Sequence, residues 1–227
     1  MNNTLDLENF SYSIRRYFVD QFYTQKVAQI ADGSCVLDLG GTKILKRGKF
    51  DIGKYDLNVV YANLTTNKKP DVQADVAFIP FRSSSFDVII CSELLEHIAE
   101  PRYVLEESYR VLRDGGIMLI CTPFLFRVHA DPYDYARYTD YYWRTFLSQV
   151  GFREIMVENQ GGFFAVMVDN LKTYMLKVGC QAPFRNLKTK MITALLHWMW
   201  RQEHKPKNQN HEILKSYTTG YGVVAIK

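Results

Sequence analysis

CVLDLGG, residues 35–41, is the stretch on which the fold turns. Its first five residues are apolar except for Asp38 and lack the alternation of a half-solvated strand. A continuous run of this length suits a strand covered on both faces, as in a parallel sheet. Outward from it, similar runs recur at LNVVYANL (57–64), VQADVAFIPF (72–81, ending at Pro80), FDVIICS (86–92) and IMLICTPF (117–124). Between them lie helical patterns. Residues 11–31 place Ile14, Phe18, Phe22, Val27 and Ile30 near one face, and ELLEHI continues the fourth run as helix. A further helix runs from Pro101, which suits a first helical turn, to about Arg113, where Asp114-Gly115-Gly116 stops it. Strands separated by helices or crossovers define a doubly wound α/β sheet.

The last third continues with a helix over 141–152 ending at Gly151, a strand at 153–158, helical segments at 163–178 and 184–201, and a closing strand, YGVVAIK. The whole chain, 1–227, reads as one domain. An N-terminal helical cap spans 1–34, a core 35–158, a helical insertion or lid 159–212, and the last strand 213–227.

Composition narrows the class. At 227 residues and 47% hydrophobic the chain can bury a large core, and a net charge of +4 does not supply the clustered basic face that nucleic acid needs. Cys35, Cys91, Cys121 and Cys180 form no CxxC pair, which reads as buried thiols in a reducing compartment. The start, MNNTLDLENF, is unlike a signal peptide, and no apolar run approaches the roughly 20 residues of a membrane span. A soluble, cytoplasmic protein is expected.

Ligands of open α/β sheets bind beyond the carboxyl ends of the strands, where the strand order reverses. GGTK, ANLT, SELLEH and PFLFRVHADPYDYARYT all fall on that edge. A dinucleotide site would need GxGxxG followed by a helix N-terminus to receive a pyrophosphate. Here Thr42 and Lys43 follow the glycines, and the basic stretch KILKRGKFDIG replaces the helix. A nicotinamide-dependent oxidoreductase is therefore disfavoured.

VLDLGG (36–41), ADVAFIPFRSSSFDVIICSELLEHI (74–98), VLEESYRVLRDGGIMLICTPF (104–124) and TTGYGVVAIK (218–227) together resemble the class I S-adenosylmethionine-dependent methyltransferases, in the branch called methyltransferase type 11. The resemblance implies a Rossmann-like, seven-stranded, mostly parallel sheet whose last strand is antiparallel, with the helical insertion before it. It also implies S-adenosyl-L-methionine as cofactor. A sulfonium cofactor carries no phosphate, so the shortened glycine loop counts less against it. Gly40 and Gly41 would let the backbone approach the aminocarboxylate portion, and Asp38 would hold the loop or accept from the ammonium. Ser92 and Glu93, with Cys91, would line the methionine end. Asp75 and the Val76 amide would meet the adenine. Where the family has an acid for the ribose this chain has Asn63, a weaker acceptor, with Asp51 as a substitute carboxylate.

Two further constellations carry chemistry. Glu93, Glu96 and His97 stand at i, i+3 and i+4, where one helix face could hold a divalent metal such as Mg²⁺, with His129 as a further ligand. Certain quinone and small-RNA O-methyltransferases use a similar Glu-x-x-Glu-His. The alternative is capping or packing. In HADPYDYARYT (129–139), His129 is the candidate general base, Asp134 its orienting group or a sugar ligand, and Arg137 a partner for a substrate anion or for Asp134. The expected reaction is O-methylation of a polar small molecule or a saccharide or glycan precursor. A metal-dependent quinone or small-metabolite O-methyltransferase and a non-catalytic binding subunit are the alternatives. Residues 183–207 set six cations against Glu203, around Trp198, Met199 and Trp200. This reads either as peripheral contact with anionic lipid or as a lid or homodimer surface.

Overall fold

The structure, a computed structural model, describes residues 7, 9, 11–44, 47–177 and 185–227, with the backbone alone at 177 and 185–189. Cys180 and the side chains of Arg185 and Lys188 lie outside the described residues.

Seven strands form one sheet: β1 (Cys35–Leu39), β2 (Asn58–Asn63), β3 (Val72–Gln73), β4 (Phe86–Ser92), β5 (Leu112–Pro123), β6 (Arg153–Asn159) and β7 (Gly220–Ile226). Their order is β3-β2-β1-β4-β5-β7-β6, and β7 alone runs antiparallel to its neighbours β5 and β6. The expected seven-stranded architecture with an antiparallel last strand is the one observed. Strand order reverses between β1 and β4, where Leu39 sits beside both Ala62 of β2 and Cys91 of β4. The carboxyl ends of three strands thus meet at one edge.

The pleat divides the apolar residues between two faces. Leu37, Leu39, Ile89 and Cys91 pack with Leu105 of α2 (Pro101–Val111) and with Trp143 and Leu147 of α3 (Asp140–Val150). Val36, Val88 and Ile90 pack with Val19, Phe22 and Tyr23 of α1 (Ile14–Val27) on the other face. A smaller cluster joins Ile14 to Ala165 and Val168 of α4 (Phe163–Lys177) and to Leu196 and Met199 of α5 (Arg185–Glu203). The short α6 (Pro206–Gln209) comes after it.

Three sequence expectations are corrected. The first helix starts at Ile14 rather than residue 11, because Ser13 caps the Arg16 amide and Asp169 of α4 accepts from the Ile14 amide at 2.7 Å. The run 72–81 is a strand only over Val72–Gln73. Asp75 then caps a turn through the Ala77 amide, and the Glu107–Arg110 fork clamps residues 79–81 to α2. Glu107 accepts from the Ile79 amide at 2.9 Å while Arg110 donates to the carbonyls of Ile79 and Phe81. ELLEHI is a single 3₁₀ turn, Leu95–His97, because Glu93 has φ 50 and its amide bonds to the Cys121 carbonyl.

The strength of this fork is measurable. Arg110 holds the Glu107 carboxyl below its usual pKa, against the opposing effect of partial burial, with the Ile79 amide adding to the depression. A depressed carboxylate contributes stability above its unfolded pKa and loses it as pH falls through the folded value. Glu107→Gln should lower stability by about 1–2 kcal/mol at neutral pH. The deficit should shrink below pH ~4, as followed by urea denaturation at several pH values.

Candidate active site

A cavity of about 300 Å³ opens at the edge where β1, β2 and β4 end. Asp38, Gly40, Gly41, Ser92 and Glu93 line it, so five of the expected cofactor contacts are brought together. Gly40 has φ 73, which favours glycine, and a Cβ on Gly41 would overlap the Asp38 carboxylate. The loop therefore needs both glycines to lie over the aspartate.

Asn63 has a different task from the one expected. Its amide nitrogen donates to the Gly40 carbonyl at 2.9 Å and the Gly41 carbonyl at 3.0 Å, while its oxygen accepts from the Thr65 amide. An acid could not make the first two bonds, since a carboxylate only accepts. Asn63 is thus the tie that fixes the glycine loop to β2. Asp75 and Val76 lie in the turn after β3, outside the cavity lining, with the Asp75 carboxylate committed to the Ala77 amide and the Val76 side chain buried in the core. Asp51, the substitute carboxylate, caps the one-turn helix Ile52–Lys54 through the Gly53 amide. Cys91 is fully buried beneath the site.

Sequence reasoning missed the contribution of α1. Arg16, Asp20 and Tyr23 of this helix line the cavity together with Arg47 and Phe50 from the loop. Beside them, Arg15 is buried and meets Glu93 through Nε at 3.2 Å and Nη2 at 2.5 Å, with Nη1 donating to Gln160. Gln160 in turn donates to Cys121 Sγ at 3.2 Å. Burial opposes the charge on Arg15, but the Glu93 carboxylate outweighs it, and the net shift of the guanidinium is upward. Nothing in the spacing of α1 marks Arg15 as buried, because its partners come from 78 and 145 residues away.

Glu93, committed to Arg15, does not share a face with Glu96 and His97. A different trio converges: ligand atoms of Glu96, His97 and His129 lie within 4.8 Å of one another. Glu96 is fully buried, and among the described residues neither carboxylate oxygen has a hydrogen-bond partner. Burial, then the nearby Glu93 charge, pushes its pKa up to about 8. His97 Nδ1 lies 2.6 Å from the Tyr133 carbonyl, an acceptor only, which assigns the proton to Nδ1. His97 Nε2 then faces Glu96 Oε1 at 3.7 Å.

The segment after β5 folds against this turn. The Tyr135 amide donates to the Glu96 carbonyl and the Tyr138 hydroxyl to the Leu95 carbonyl. Asp134 accepts from the His129 amide at 2.8 Å and from both terminal nitrogens of Arg137, at 2.5 and 2.7 Å. Arg137 holds the Asp134 carboxyl far below the ordinary range. The His129, Asp134 and Arg137 group is therefore assembled as expected, but Arg137 is spent on Asp134. His129 Nδ1 is 3.3 Å from Asp134 Oδ2, and its ring meets the edge of His97. Burial lowers the His129 pKa below its usual value, outweighing the upward pull of Asp134. Glu93 is near enough for its charge to act on the ring, which joins this loop to the cavity electrostatically.

Residues 43–120 match the family described as Methyltransferase domain. The demethylmenaquinone methyltransferase of Mycobacterium bovis is 32% identical over 105 residues, which cover 43% of this chain and 44% of the relative. An uncharacterized protein of Methanocaldococcus jannaschii is 37% identical over 98 residues, 40% of this chain and 38% of the relative. The chain thus spans less than half the length of these curated relatives. Among solved structures, a SAM-dependent methyltransferase from Archaeoglobus fulgidus superposes with TM-score 0.59 at 13% identity, covering 93% of this chain and 94% of the other. Phosphoethanolamine N-methyltransferase 2 of Haemonchus contortus, in complex with S-adenosyl-L-methionine, gives 0.56 at 15% identity, covering 99% and 60%. At these identities the structural likeness establishes the fold. With the match over 43–120 and the order β3-β2-β1-β4-β5-β7-β6, the chain carries a segment similar to the methyltransferase domain on the fold of the S-adenosylmethionine-dependent methyltransferases.

Proposed function

We propose that the chain binds S-adenosylmethionine in the cavity at the ends of β1 and β4 and transfers its methyl group to an acceptor oxygen presented beside residues 124–139. The observation that carries this reading is the convergence of Asp38, Gly40, Gly41, Ser92 and Glu93 on one cavity at the reversal of strand order. Asp38 and Glu93 offer acceptors for the cofactor's ammonium, and Arg16 and Arg47 offer donors for its carboxylate. Methyl transfer is an in-line displacement in which the acceptor oxygen must approach to about 3 Å and lose its proton. His129, whose pKa burial lowers, is the base, and Asp134 Oδ2 lies 3.3 Å from its Nδ1. The polar character of 127–137 favours a hydroxylated acceptor of the saccharide or glycan-precursor kind. Titration calorimetry with S-adenosylmethionine tests the first step. Saturable binding supports the enzyme, while none at millimolar ligand favours a non-catalytic subunit. Asp38→Ala should weaken that binding about 10- to 100-fold, the equivalent of losing one charge-assisted hydrogen bond.

A second reading adds a divalent cation such as Mg²⁺ or Mn²⁺ held by Glu96, His97 and His129. The bare oxygens of a fully buried Glu96, one of them 3.7 Å from His97 Nε2, favour it. Such a cation would draw a vicinal diol or catechol acceptor to this edge, and His129 would then act as ligand rather than base. Isothermal titration of chelator-treated protein with Mn²⁺ distinguishes the two. Binding lost in Glu96→Gln supports the metal, and full turnover after complete metal removal rejects it.

A further inference from the structure

On α5, Met191, Leu195 and Trp198 are 65%, 45% and 48% exposed. Their i, i+4, i+7 spacing aligns them on one side of the helix. The opposite side is occupied: Leu196 and Met199 are buried against α1 and α4. Lys190, His197 and Arg201 are exposed along one edge of the apolar stripe, and Lys205 and Lys207 are exposed just beyond it. The only acid between 185 and 209 is Glu203, which is buried and accepts from the Gly162 and Ala165 amides at the start of α4. The helix therefore leaves no carboxylate of its own on this face to balance its cations. The stripe also continues onto α4, since the Trp198 ring meets Phe164 edge-on at 6.0 Å.

We infer that this α5 face docks the protein onto an anionic lipid surface, with the apolar stripe at the headgroup boundary and Lys190 and Arg201 on the lipid phosphates. An exposed tryptophan between aliphatic and cationic residues matches the chemistry of such a boundary, where its amphipathic ring is favoured. A second copy of the chain fits less well. A two-fold contact places the same patch on both sides, so the cations of one copy would face those of the other with no acid of α5 between them. Among the described residues no helix is long and apolar enough to cross a membrane.

The test is co-sedimentation of the full chain with phosphatidylcholine vesicles, with and without phosphatidylglycerol, at low and high salt. Binding should require the anionic lipid and fall as salt screens it. The double substitution Lys190→Glu and Arg201→Glu, both at exposed positions, should weaken partitioning about tenfold or more. Leu195→Ser should weaken it without altering the salt dependence, and circular dichroism verifies that each variant is folded. Equal pelleting with neutral and anionic vesicles, no pelleting with either, or unchanged partitioning of the charge-reversed variant would overturn the inference. So would a concentration-dependent dimer in analytical ultracentrifugation that Leu195→Ser dissociates while vesicle binding is absent.

Discussion

His129→Ala is expected to lower the rate of methyl transfer by about 10²–10⁴-fold while leaving the affinity for S-adenosylmethionine near that of the wild type. The ring sits beside Asp134, whose carboxylate is fixed by two bonds from Arg137 and one from the His129 amide, with Asp134 Oδ2 3.3 Å from the imidazole Nδ1. Its removal leaves the cavity lined by Asp38 and the glycines intact, which is why binding and turnover should separate. An acceptor identified by release of S-adenosylhomocysteine allows single-turnover measurement of the step. The pH profile adds an independent readout. A base works in its neutral form, and burial lowers the His129 pKa, so in metal-free protein the acid limb of kcat/KM should lie below the ordinary value near 6.5. Near-normal turnover in His129→Ala would move the base elsewhere. A rate loss matched by loss of cofactor affinity would mean that the substitution had damaged the cavity instead.

Arg15→Ala should produce the largest loss of stability, about 3–5 kcal/mol. Arg15 is 2% exposed, and its guanidinium serves Glu93 and Gln160 together. Truncation leaves the half-buried Glu93 carboxylate with an uncompensated charge, and that penalty exceeds the net worth of the pair. A second substitution isolates the penalty. Arg15→Met combined with Glu93→Gln removes both charges at similar volume and should recover most of the loss, although cofactor binding should remain weak because Glu93 lines the cavity. Chemical denaturation of Arg15→Met, of Glu93→Gln and of the double variant gives the coupling directly. Additive losses would show that the pair is not coupled. Because Arg15 belongs to α1 and Glu93 follows the end of β4, the pair also seats α1 over the cavity. Saturation with S-adenosylmethionine should therefore protect the α1 amides from hydrogen exchange.

Much of the fold was legible in the residues because the forces involved are local or periodic. The unbroken apolar runs CVLDL and FDVIICS became β1 and β4 at the boundaries read from them, since burial on both faces leaves no other pattern available. Gly151 ended α3 in the left-handed conformation that its lack of a Cβ permits. The gathering of GGTK, SELLEH and the 129–139 loop at one sheet edge came from the alternation of strands and helices. The partners of each polar group at that edge were a different matter. Asn63 stands where a ribose-binding acid would be, yet it is a donor to two loop carbonyls. Glu93 stands at helical spacing from Glu96, yet a φ of 50 and a buried arginine turn it the other way. Periodicity speaks for hydrophobic burial, which is non-directional and sums over many residues. Hydrogen bonds and ion pairs are directional and depend on groups brought together from distant parts of the chain. So the α/β class and the location of the cleft were written in the chain itself. Which carboxylate pairs with Arg15, and which is left bare at Glu96, was decided only when α1, β4 and the loop after β5 met in three dimensions.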